Sequence, residues 1–444
     1  MATHEPAFSP AALGDHALAI AQDLIRFDTT NTGDDAAQGE RAAAEYVIGL
    51  LQDLGYEPFY AESEPRRGSV VLRLEGADAA RPALVLHGHL DVVPAATADW
   101  TADPFGAELR DGCLWGRGAV DMKDMDAMML AVVADWTKRG VKPPRDIVLA
   151  FLADEEAGGK LGAHWLVDHH PDLFAGATEA VGEVGGFSTW VAGRRVYLIQ
   201  TAEKGLAWLK LVATGTAGHG SAINPDNAVA RLAAAVSAIA GHAWPMHLTP
   251  TMQALLRGVA DLTGLPLDLA DPASVRAVID ALGPAQRFVA ASTATAVNAT
   301  GLTAGYKVNV VPGEAAGTID MRPLPGDHDA AWAKVRELAG PGVAIEAIHD
   351  DVAVENPFPV PLTEAMAGAI GQADPSATVL PYLLSAGTDA KAFSRLGIHG
   401  YGFVPLALPP DFDFTAMFHG VDERVPVDSL TRGTAVLADF LLHC

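Results

Sequence analysis

Cysteine is nearly absent from this 444-residue chain, which holds only Cys113 and Cys444. Two thiols, one of them on the last residue, exclude a disulfide framework and a Cys-rich zinc site. Basic residues are scarce too: 30 Lys and Arg stand against 55 Asp and Glu, a formal charge of −25. Phosphate backbones and anionic lipid would repel such a chain, so no nucleic-acid and no membrane partner is expected. No run of eighteen apolar residues occurs, which argues against a membrane-spanning helix. The opening MATHEPAFSPAALGDH lacks a basic stretch followed by an apolar one, so no secretory leader is expected and a cytoplasmic location is.

Apolar residues make up 50% of the chain and charged ones 19%, an ordinary globular balance. The length exceeds what one hydrophobic core usually organises, so two domains are expected. Ser9-Pro10 reads as a helix start, and Leu13, Ala17, Ile20 and Leu24 follow at helical spacing. A second helix is expected over 38–54, stopped by Gly55. Short β-rich runs follow at 69–74, 83–88 and 146–152, with a helical stretch at 126–136 between the last two. Strands alternating with helices give an α/β fold, a mixed and mainly parallel sheet flanked by helices.

The pattern changes near residue 198. A strand at 207–215, a helix at 227–240, a hairpin-like pair within 307–326, a helix at 327–340 and a strand at 342–350 follow in order. β-α-β-β-α-β is a ferredoxin-like α+β unit, here carrying an extra, mostly helical segment at 245–290. The expectation is a discontinuous domain of residues 1–197 and 353–444, interrupted by an inserted domain of residues 198–352.

Polar residues gather where predicted strands end. LVLHGHLDVVP (84–94) puts His87, His89 and Asp91 on one side of an extended chain. Asp121 precedes a helix, Glu155 and Glu156 follow the strand at 146–152, Glu183 follows EAVG, and His419 lies in FHGVDER. Each has a plain structural explanation: a hydrogen-bonded strand-end histidine, a helix cap, or a solvated turn. Ligands of open α/β sheets bind beyond the carboxyl ends of strands, so these positions can converge. Histidines and carboxylates without thiolate suit Zn²⁺, Co²⁺ or Mn²⁺.

Seven segments in order, HGHLDVVP, DPFGAELRDGCLWGRGAVDMKD, ADEEAGGKLGA, AGHGS, VNVVPGEAAGTIDMRPLPG, SAGTDAKAF and FHGVDERV, resemble the M20 family of dinuclear metallopeptidases and aminoacylases, carboxypeptidase S-like members above all. The resemblance runs from about residue 15 to the C-terminus. It implies two divalent ions per subunit, Zn²⁺ foremost, bridged by Asp121. His89 and Glu183 would complete one site, Glu156 and His419 the other. Asp91 would accept the second ring N–H of His89, and Glu155 would be the general base. VGEVGGFS departs from the family's usual placement of the last carboxylate directly before a Gly pair, which leaves Glu179 as the substitute for Glu183. His219 would reach from a second subunit to the oxyanion. Asn309 and Arg322 would hold the substrate carbonyl or carboxylate, with Gly387 and Thr388 in a loop nearby. The inserted domain would serve as lid and dimerisation surface, making the protein a homodimer. His87 would be a structural neighbour, and His164, His169, His170 and His242 solvated surface.

The implied activity is hydrolysis of an amide bond beside a free carboxylate, in an N-acyl amino acid, a dipeptide or a C-terminal residue. A nearer alternative is deacylation of acetylornithine or succinyl-diaminopimelate. H-x-H-x-D also occurs in metallo-β-lactamases, but these want a histidine directly after the aspartate, where this chain has Val92. A metal-free scaffold would normally have lost ligands, whereas every expected ligand type is present.

Overall fold

The computed structural model describes residues 9–34 and 37–444. The first eight residues of the segment read for a leader lie outside these. Among the described residues no helix is long and apolar enough to cross a membrane.

The larger lobe is built on a ten-stranded sheet. Its centre runs in the order Ile147–Leu152, Ala83–His89, Ala177–Gly182, His399–Gly402, all mutually parallel. Antiparallel strands Phe59–Glu62 and Gly68–Leu74 close one side. Arg194–Glu203 continues the other, with Thr378–Leu384 parallel beside it. Alternate side chains serve opposite faces. Leu84, Leu86, Leu149 and Phe151 enter the core under helices Pro10–Arg26, Lys123–Arg139 and Val427–His443. Val85, Val148, Ala150 and Leu152 pack with Leu166 and Phe393 on the other face. Strands covered on both sides explain the near-continuous apolar runs of the sequence.

The helices at 38–54 and 126–136 are found at Arg41–Asp53 and Lys123–Arg139. Their registers follow the apolar spacing, and Gly55 adopts φ +90 just past the end of the first.

The smaller lobe is a four-stranded antiparallel sheet in the order Ala296–Ala304, Glu314–Arg322, Leu206–Thr214, Val343–Asp351. Helices Ala228–Ala240 and His328–Ala339 cover it around Leu209, Leu232, Ile319 and Val335. The expected β-α-β-β-α-β order holds, with one correction. The partner of Glu314–Arg322 is Ala296–Ala304; residues 307–313 supply only Val310–Val311, paired with Gly218–His219. Pro312 cannot donate to a ladder, which cuts that run short.

The chain crosses between lobes at Lys204–Gly205, because Arg194–Glu203 stays whole in the large sheet. It returns through Val354–Glu355, again on that sheet. The helical segment at 245–290 also belongs to the large lobe. Met252, Leu255, Leu256, Val259 and Ile279 share its core, and Gly258 lets helix Pro250–Thr263 press onto Leu380.

Phe151 is fully buried at the middle of this packing. Phe151→Ala is expected to cost ~3–5 kcal/mol, seen as a clearly lower midpoint of thermal unfolding.

Candidate metal centre

The parallel strands place their carboxyl ends side by side. His89 pairs with Leu152 at the last register position, so the turn after Leu152 brings Glu155 and Glu156 next to it. Glu183 directly follows Ala177–Gly182. Asp121 enters from the loop before helix Lys123–Arg139, and its peptide to Met122 is cis. His419 arrives from the loop after Phe414 with φ 56.

Asp121 stands between the two histidines. Its Oδ1 is 3.1 Å from Nε2 of His89, and its Oδ2 is 3.3 Å from Nε2 of His419. Glu183 lies 3.6 Å and Glu155 3.9 Å from the same His89 nitrogen. Glu156 lies 3.1 Å from His419. Ligand atoms of His89, Asp121 and Glu156 fall within 4.8 Å of one another, as do those of His89, Glu155 and Glu183. Glu179, the substitute ligand, lies in the first half of strand Ala177–Gly182 and is paired 2.6 Å from Arg145.

Electrostatics match a cation site. Burial pushes Glu155 well above the usual carboxylate range, and the Glu183 charge adds to it. Burial lifts Glu183 to about 7 against the opposing pull of His89, and it also raises Glu156. Hydrogen bonds to Asp121 and Glu156 raise His419 to about 10. Burial opposes charge on His89, yet Glu183 and Asp121 carry its pKa well above the ordinary value. Burial works against charge on Asp121 as well, but hydrogen bonds from His419 and His89 hold it well below the usual range. Acids that repel one another at one spot are what a divalent ion relieves. Two imidazoles and four carboxylates without thiolate form a donor set fitting such ions.

The support around these groups differs from expectation at Asp91. Nδ1 of His89 donates to the backbone carbonyl of Asp91 at 3.0 Å, while the carboxylate is 3.6 Å away. That carboxylate is engaged elsewhere. It accepts the backbone N–H groups of Glu155 and Glu156 at 3.1 and 3.0 Å and the Asn31 amide at 2.8 Å. Asp91 therefore shapes the Glu155–Glu156 turn, and its main chain fixes the His89 tautomer with Nε2 facing the cluster. Asn31 is held by Arg67, which pairs with buried Glu40 at 2.7 Å. His87 packs on Phe393, and burial lowers its pKa to about 3, a neutral structural histidine.

Glu423 is a positioning residue that spacing alone does not reveal. Fully buried, it accepts N–H groups of Gly118, Val120 and Asp121 at 3.1, 2.8 and 3.2 Å and pairs with Arg117 at 2.7 Å. The Asp121 loop thus hangs on one carboxylate. Asp389 also escaped the sequence reading: buried beside these acids, its carboxyl is pushed well above the usual range by burial. Both lie inside quoted motifs, FHGVDERV and SAGTDAKAF, which was the available signal.

A cleft of about 160 Å³ opens on the cluster, lined by Glu155, Glu156 and His419 with Arg322, Gly387 and Thr388. His164 lines it too. Expected as solvated surface, it instead reaches across the lobes to Asp351 at 3.2 Å, because helix Ala163–His169 faces the end of strand Val343–Asp351. His219 and Asn309 do not line the cleft. They sit exposed beside each other on the Gly218–His219 and Val310–Val311 ribbon, where Gly220 N–H donates to the Asn309 carbonyl at 2.8 Å.

Glu423→Gln keeps the shape of the side chain but removes its charge from four contacts. Metal affinity is expected to fall ~10–100-fold, read by competition with a chelating dye, with the fold retained by circular dichroism.

Comparison with known proteins follows the same line. The family model for peptidase family M20/M25/M40 matches residues 85–443. A probable carboxypeptidase S-like 2 of Dictyostelium discoideum is 31% identical over 405 residues, covering 84% of this chain and 73% of that one. A succinyl-diaminopimelate desuccinylase of Gluconacetobacter diazotrophicus is 28% identical, covering 98% and 97%. The fold matches that of an M20 family metallo-carboxypeptidase from Sulfolobus solfataricus with a TM-score of 0.74 at 17% identity, covering 97% and 99% of the two chains. The chain belongs to the M20/M25/M40 peptidase family, whose members are metal-dependent, and is a hydrolase acting on amide bonds.

Proposed function

We propose that this hydrolase uses two divalent ions, Zn²⁺ foremost, to cleave an amide bond beside a free carboxylate in an N-acyl amino acid, a dipeptide or a C-terminal residue. The observation that carries the reading is the Asp121 carboxylate, with one oxygen toward His89 and the other toward His419. His89, Glu183 and Asp121 would hold one ion, and Glu156, His419 and Asp121 the other. Bound there, the ions would supply Lewis acidity for the scissile carbonyl and make water acidic enough to ionise near neutral pH.

This chain's own residues do the rest. Glu155 takes the proton of the attacking water and hands it to the leaving amine; burial favours the protonated form it needs for the second half. Asp91 accepts the adjacent backbone N–H groups of Glu155 and Glu156 and so fixes their turn, in which Glu155 would serve the water and Glu156 would hold an ion. Arg322, Gly387 and Thr388 line the substrate end of the cleft.

His219 would stabilise the oxyanion and Asn309 would hold the substrate carbonyl from a second subunit. Their exposure away from the cleft supports a homodimer in which the smaller lobes act as lid and pairing surface. The segments flanking that ribbon expose Ile223, Tyr306 and Val308 almost completely, apolar surface that pairing would cover. The desuccinylase relative keeps open deacylation of an amino-acid precursor, with the same chemistry and a different acyl group; a panel of N-acyl amino acids and dipeptides, read by released amine, separates the two.

Glu155→Ala should lower kcat at least ~10²–10⁴-fold while metal content measured by mass spectrometry stays at the wild-type value. Wild-type rates in that variant would defeat the assignment. If His219 acts across a dimer, specific activity should fall on dilution in step with dissociation seen by light scattering, and His219→Ala should lose activity without loss of metal.

A further inference from the structure

The cleft beside the acid cluster has a cationic wall. Lys391, on the short helix Ala390–Ser394, lines it together with Arg322, Gly387 and Thr388. Its side chain is only 4% exposed, and among the described residues its ammonium has no hydrogen-bond partner. The nearest carboxylate, that of buried Glu203, is 3.8 Å away, beyond hydrogen-bond reach. A buried ammonium in this state is costly unless something pairs with it.

Arg322 is placed differently. Its guanidinium is closed on Asp320 by two hydrogen bonds of 2.6 and 3.1 Å, an internal fork that takes its Nε–Nη2 edge and sets part of its charge against a carboxylate of the same strand. Of the two cations on the wall, Lys391 is the one whose charged group has no hydrogen-bond partner among the described residues. Room for it comes from Gly387, where a Cβ would lie 2.1 Å from the Lys391 Nζ. The absence of a side chain at 387 admits the ammonium. The rest of the cleft includes Glu155, Glu156, Asp351 and Asp389, with His164 and His419 set against Asp351 and against Asp121 and Glu156, so this wall carries the cationic charge least engaged by neighbouring acids.

We propose that Lys391 grips the free carboxylate of the substrate and sets a preference for acids over the corresponding amides. This rests on the amide-hydrolase reading above and adds a residue that the family resemblance did not supply. The contact is a charge-assisted hydrogen bond, with no covalent step.

The test compares an N-acyl amino acid with its C-terminal carboxamide, following release of the same acyl group from both. Wild type should favour the acid. Lys391→Met should lower the acid-to-amide ratio of kcat/KM by ~10–100-fold, mainly through KM for the acid. Gly387→Ala keeps the charge but displaces the ammonium, and it should lower the ratio in the same direction; it serves also if Lys391→Met fails to fold. A wild-type ratio retained in either folded variant overturns the role of Lys391. Wild-type, metal-loaded protein that hydrolyses neither compound defeats the underlying reading instead.

Discussion

Repulsion among buried carboxylates is the constraint on which this architecture turns. Asp121, Glu155, Glu156, Glu183 and Asp389 meet where four parallel strands end, and burial makes each one's charge expensive. Such a group of acids is retained only where cations compensate it. Two imidazoles offer part of that compensation. Divalent ions would complete it and would turn the same repulsion into binding energy.

The surroundings make sense as devices for keeping the acids in place. Glu423 gathers the N–H groups of Gly118, Val120 and Asp121 and so fixes the loop that carries Asp121. Asp91 does the same for the Glu155–Glu156 turn, backed through Asn31 by the Arg67–Glu40 pair. Breaking a buried ion pair from one side leaves an uncompensated charge, so these distant residues govern the geometry of the cluster without touching a substrate. The wall opposite, which Arg322 and Lys391 line, is where a substrate carboxylate would be met under the proposal for Lys391. The contact of His164 with Asp351 spans the same junction.

Much of this was readable from residue order. The apolar runs at 83–88 and 146–152 predicted strands buried on both faces, and their polar endings predicted convergence; His89, Glu155, Glu156 and Glu183 do meet. The unread parts share a cause, since they depend on which surfaces meet. H-x-D spacing suggested a ring-to-carboxylate bond, but the Asp91 carboxylate found stronger claims from backbone N–H groups. Strand Ala296–Ala304 is mostly exposed, at the sheet edge, and built from small and polar residues, so it carries no apolar alternation. Helix Pro250–Thr263 shows an apolar face in its sequence, yet nothing local says that the face lies on the large lobe. Asp389, Lys391 and Glu423 stand out only through their burial, which a single sequence does not display.

The central claim is that Asp121 bridges two ions that the reaction needs. Its most direct test is titration of chelator-stripped wild-type protein with Zn²⁺, following hydrolysis of an N-acyl amino acid against equivalents bound. Stripping should abolish hydrolysis, and full activity should return as about two ions per chain are bound. Hydrolysis that survives stripping, or full activity with one ion bound, would contradict it.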